Sequence, residues 1–121
     1  MSFMARSALH FMTEKAARGY LAEIMPAGIE NLKTLAESGR SIFATFISGC
    51  SDEKKKKMRE ELAGLLKFGV TIDMILEKAA RQQPEIKPIM ESMPTYRQAE
   101  IERIMAFLKE GVIELNHYHT I

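Results

Sequence analysis

The chain has 121 residues, of which 46% are hydrophobic and 27% charged, with 17 basic and 16 acidic side chains and a net charge of +1. That length suffices for one domain that buries a core without metal or disulfide support, and that composition excludes a disordered chain. The near-balance of charge lacks the basic excess that usually marks a nucleic-acid binder.

Residues 2 to 25 read as a first helix. Ala5, Ala8, Leu9, Met12, Ala16, Gly19 and Tyr20 share one side, and the stripe then drifts toward Leu21, Ile24 and Met25. Pro26 and Gly28 punctuate it. A second helix is expected from about 27 to 48, with Ile29, Leu32, Ala36, Gly39, Phe43 and Phe46 at alternating steps of three and four. Its weak point is Ser38-Gly39-Arg40-Ser41, where a glycine and two serines oppose helix and predict a kink or a division.

Gly49 suits a C-terminal cap, and Ser51 followed by Asp52 and Glu53 suits a new N-terminus. Met58, Leu62, Leu65, Gly69, Ile72, Leu76 and Ala79 then keep one register to Ala80. Phe68-Gly69-Val70-Thr71 is equally compatible with a break, Gly69 ending one helix and Thr71 starting the next. Pro84, Pro88 and Pro94 bracket a connector that allows about two helical turns from Lys87, with Ile86, Ile89, Met90 and Met93 beneath it.

The last helix is expected from Thr95 to His119. It would open on a capping box between Thr95 and Gln98, and its apolar stripe would run through Ile101, Ile104, Leu108, Gly111, Leu115 and Tyr118, widened by Met105, Phe107 and Val112. Arg97, Glu100, Glu102, Arg103, Lys109, Glu110 and Glu114 form the opposite, solvated face, where Glu100 and Arg103 are spaced for an ion pair. No stretch alternates with period two and no repeat is visible. The fold expected is all-α, a single domain over 1–121 forming an irregular helical bundle of five to six helices. Leu108, Ile104, Ile72, Leu65, Phe43 and Leu32 are its expected core, with the last helix in the middle.

Candidate chemistry is sparse. Glu114-Leu115-Asn116-His117, with His119 nearby, has the spacing of a carboxylate-imidazole pair in di-iron bundles, but such sites need a second copy of the motif, and the remaining histidine is His10. No metal is expected. Cys50 is the single cysteine, which excludes an internal disulfide, and it reads as an inert thiol although lysines follow it. Phosphate loops, nucleophile elbows and zinc-protease motifs are absent from the sequence, so no catalytic residue and no cofactor are nominated. No run approaches the ~18 apolar residues of a membrane span, and the N-terminal stretch lacks a secretory core. A cytoplasmic location is the expectation; the amphipathic, mostly basic N-terminus makes an organelle presequence the lesser alternative.

Two functional readings follow. Nine methionines and six phenylalanines supply apolar surface on every expected helix, and methionine adapts well to partners. Leu35, Ile42 and Ile47 flank the main register of the second helix, and Met90 and Met93 lie in the connector, so these five are the candidate partner-binding residues. The function expected is a non-enzymatic interaction protein, a homo-oligomer or an adaptor, that buries an apolar helical face. The alternative is a DNA-binding regulator with a helix-turn-helix over about 53–82, whose phosphate contacts would come from Lys54, Lys55, Lys56, Lys57 and Arg59. Against it, the expected recognition helix opens on Thr71, Asp73 and Glu77, two of them acidic.

Overall fold

The computed structural model of the protein describes the backbone of residues 3–92 and 94–120 and the side chains of residues 6–90 and 95–110. Among the described residues the fold is all-α, with no strand. The helices are α1 (Phe3–Ile24), α2 (Ile29–Glu37), α3 (Ile42–Ile47), α4 (Asp52–Phe68), α5 (Ile72–Gln82), α6 (Lys87–Ser92) and α7 (Pro94–Thr120). Short 3-10 turns at Met25–Ala27 and Pro84–Ile86 lead into α2 and α6. Seven helices exceed the expected five to six because the chain divides at both doubtful positions.

Both divisions have the same cause. At the end of α2, Gly39 adopts φ 74°, Gly39 N–H donates to Ala36 O and Arg40 N–H donates to Leu35 O. At the end of α4, Gly69 adopts φ 119°, Gly69 N–H donates to Leu66 O and Val70 N–H donates to Leu65 O. Each is a Schellman motif, which satisfies the carbonyls that a helix leaves open and needs a left-handed residue at its glycine. The following helix then starts on a hydroxyl cap: Ser41 Oγ accepts from Ala44 N–H, Thr71 Oγ1 from Met74 N–H, and Ser51 Oγ likewise from Lys54 N–H at the start of α4.

The core joins two groups of helices. α1 packs mainly on α5, through buried Ala17, Leu21 and Ile24 on one side and Ile72, Ile75, Leu76, Ala79 and Ala80 on the other. Ala17, Ala79 and Ala80 are small enough to let two helix axes approach. The first four turns of α7 pack on α3, α4, α6 and α5. Tyr96, Glu100, Ile104 and Phe107 are buried on it among the described side chains, and Phe107 meets Phe43 edge-on at 5.2 Å between ring centroids. α7 is thus central, as expected, but on a different face.

Of the expected core, Ile104, Ile72, Phe43 and Leu32 are buried, whereas Leu65 and Leu108 are half-buried. Phe107 takes the place anticipated for Leu108, because the face that meets α3 is the one carrying Tyr96 and Glu100. The capping box is also corrected. α7 begins at Pro94, which fits a first turn that needs no donor, so Thr95 is already helical, and the Gln98 amide instead donates to Glu102. In α1 the buried line includes Thr13 and Ala17, while Gly19 is exposed. The connector follows expectation: Ile86, Ile89 and Met90 are buried beneath it.

Candidate functional site

The most concentrated chemistry in the fold surrounds Glu100, a residue expected on the solvated face of its helix but wholly buried. The Tyr20 hydroxyl from α1 donates to Oε2 at 2.6 Å, and the Tyr96 hydroxyl, one turn before Glu100, donates to the same oxygen at 2.7 Å. The Ser41 hydroxyl donates to Oε1, and Phe43 N–H points between the two oxygens at 3.0 and 3.2 Å. The two tyrosine oxygens lie 3.2 Å apart. The expected pairing with Arg103 does not form; Arg103 instead bonds Glu110 at 3.1 Å.

This arrangement explains how a carboxylate can be buried without a cationic partner. An ionised carboxyl group offers about four acceptor positions, and here four donors fill them. Two of those donors, the Ser41 hydroxyl and Phe43 N–H, belong to the opening turn of α3, so the negative group sits at the positive end of a helix. Burial and the neighbouring Glu100 charge both raise the tyrosines above the ordinary phenol range, which keeps them in the donating form. With every acceptor position occupied, Glu100 has no capacity left for a substrate or a metal. The cluster is a structural joint that ties α1, α3 and α7 together.

The residues anticipated for partner binding have different fates. Ile42, Ile47 and Met90 are buried in the core, so their apolar surface is already covered within the chain; Leu35 is half-buried against it, and Met93 lies outside the described residues. The basic group is divided too. Arg59 lies over the Phe107 ring at 4.5 Å, donates to Phe107 O at 3.0 Å and pairs with Glu110 at 3.5 Å, which makes it part of the α4–α7 packing. Lys54 reaches Glu23 at 3.3 Å and lies 5.1 Å from the Phe46 ring centre. Lys55 is half-buried, and Lys56 and Lys57 are exposed.

α4 and α5 are separate helices joined by the short segment 69–71, as the DNA-binding alternative expects of the backbone over 53–82. The outward start of α5 nevertheless presents Asp73, paired with Arg97 at 2.6 Å, and Glu77, paired with Arg81 at 3.1 Å. Cys50 is half-buried and its thiol lies 3.6 Å from Phe46 O as a donor. Glu114, His117 and His119 lie outside the described side chains, and no cluster of metal-binding residues occurs among the described ones. No helix among the described residues is long and apolar enough to cross a membrane.

Besides exposed Phe11 on α1 and Met105 on α7, one surface without a role in the core is on α4. Over 17 residues this helix has no fully buried side chain, although Met58, Leu62, Leu65 and Leu66 pack partly onto the core. Its outward face carries Lys57, Glu60, Glu61, Gly64, Lys67 and Phe68, all exposed, with Phe68 at 49%. A Cβ at Gly64 would meet nothing within 4 Å. Glycine inside a helix costs about 1 kcal/mol relative to alanine, and nothing among the described residues demands it here. Helical periodicity marks the inward stripe of α4, and a mid-helix glycine followed one turn later by a phenylalanine marks the outward one. Compared with known proteins, the chain matches no family model, no curated protein and no solved structure.

Proposed function

We propose that the protein is a non-enzymatic interaction module that associates with a second copy of itself through the outward face of α4. The observation that carries this reading is Gly64, exposed at the middle of a face that ends in an exposed phenylalanine. A two-fold axis beside Gly64 would run two α4 helices antiparallel. It would place Glu61 of each copy opposite Lys67 of the other, and set Phe68 beside Glu60 on the partner's preceding turn. The missing side chain at the crossing would let the two backbones approach, and the same patch on both copies is self-complementary, as a two-fold interface requires. The closed Glu100 cluster supports a non-enzymatic role, because the strongest group of polar side chains is consumed in holding the fold.

Sedimentation velocity and native mass spectrometry across low to high micromolar concentration test the reading. A concentration-dependent dimer is expected. Phe68→Glu should weaken it by about tenfold or more, and Glu61→Lys and Lys67→Glu should each weaken it, while the double charge exchange restores it. A monomer at every concentration, or a dimer indifferent to all three exposed positions, overturns this interface. A monomer that instead binds duplex DNA at low salt, and loses that binding when Lys56 and Lys57 are neutralised, would establish the DNA-binding alternative.

A further inference from the structure

Between α1 and α5 lies a second feature with no role in the α4 pairing, a cleft of about 360 Å³. It falls at the small end of the range of about 300–1,000 Å³ typical of ligand clefts. Leu9 and Met74, both half-buried, give it an apolar floor. The Thr13 hydroxyl beside them donates to Leu9 O at 2.7 Å, so it has no proton left to donate to a ligand. Arg6, Lys78 and Arg81 line its rim with Glu77 as the one lining carboxylate, and His10, also in the lining, lies 2.8 Å from the Glu14 carboxylate.

The cations differ in how they are neutralised. Glu77 holds Arg81 at 3.1 Å, whereas Arg6 and Lys78 have no ion pair or hydrogen bond among the described residues. Lys78 is half-buried and Arg6 exposed, so at the cleft mouth an anion would meet two cations that no carboxylate among the described residues neutralises. An apolar floor and two uncompensated cations at one mouth define a ligand with one charged end and one short apolar end.

We propose that this cleft binds a small amphiphilic anion, its carboxylate or phosphate between Arg6 and Lys78 and its short apolar chain on Leu9 and Met74. Titration of the full ¹⁵N-labelled chain with octanoate and, separately, with octyl phosphate tests this, with octanol and inorganic phosphate as probes that each lack one half of the ligand. At least one anion is expected to give saturable shifts centred on Leu9, Met74 and Lys78, and the tighter of the two identifies the headgroup. Octanol and inorganic phosphate should bind about tenfold or more weakly, and added salt should weaken the anion. The Arg6→Ala/Lys78→Ala variant changes exposed or half-exposed positions; with its helical circular dichroism unchanged, it should lose about tenfold in affinity. The proposal is overturned if octanol binds as tightly as the anions, if the double variant keeps wild-type affinity, or if neither anion saturates by about 10 mM, which corresponds to a binding energy below ~3 kcal/mol. None of these variants touches α4, so failure here leaves the pairing interface untouched, and the reverse also holds.

Discussion

Glu100 is buried because donors reach it from distant points of the chain, Tyr20 from 80 residues away and Ser41 from 59. Helical periodicity assigns a carboxylate to solvent by default, and nothing local to Tyr96-Arg97-Gln98-Ala99-Glu100 announces that a hydroxyl of α1 and the first turn of α3 will converge on it. The consequence for stability is specific. Glu100→Gln keeps the volume but turns one acceptor oxygen into a donor that faces either the tyrosine hydroxyls or the Ser41 hydroxyl and Phe43 N–H. Donors opposed to donors in a buried site should cost on the order of 3 kcal/mol in a urea melt. Tyr20→Phe and Tyr96→Phe should cost roughly 1–2 kcal/mol each, and the double variant should depart from their sum, because both hydroxyls share one oxygen. A Glu100→Gln protein melting within about 0.5 kcal/mol of wild type would show that the cluster contributes little.

At the scale of the helix, the punctuation was largely readable, because caps are short-range chemistry. Ser51 with its acidic followers, Thr71 after Gly69, and the glycine flanked by serines at 38–41 each sit where a helix starts or stops. The face that each helix buries was less readable, since it depends on which neighbour the helix meets. α7 turns Phe107 inward and leaves Leu108 half-buried, although both belong to an apolar stripe. Phe107→Ala should therefore cost about 3–5 kcal/mol and Leu108→Ala distinctly less, a contrast that paired denaturant melts resolve. Gly64 within α4 and Gly69 just past its end make a second contrast. Gly69→Ala forces a side chain into φ 119° and should cost about 1–2 kcal/mol. Gly64→Ala, in regular helix with open space around it, should stabilise the isolated chain by up to about 1 kcal/mol when measured below the concentration of dimer formation. A loss of similar size at both positions would mean that Gly64 serves packing within the chain.

For the whole molecule, the buried cluster couples folding to alkaline pH. Tyr20 and Tyr96 ionise near 10 in an unfolded chain, and in the folded one desolvation, then the Glu100 charge, raises both. A group whose folded value is raised contributes stability that is complete below its unfolded value and is lost as pH rises above it. The unfolded state here releases two protons that the folded state retains. Stability should thus be insensitive to these residues below pH about 10 and fall above it by roughly 2.7 kcal/mol per pH unit, the slope for two such groups. Tyr118 is the third tyrosine, so a Tyr118→Phe background isolates the pair. In that background, tyrosinate absorbance at 295 nm should stay low through pH 10 and rise together with the loss of helical signal at 222 nm, as one cooperative step. Replacing Tyr20 and Tyr96 by phenylalanine should flatten the slope while lowering stability at neutral pH. Tyrosinate absorbance that rises near pH 10 with the helices intact would mean that the hydroxyls are open to solvent, and the closed joint at the centre of the fold would have to be abandoned.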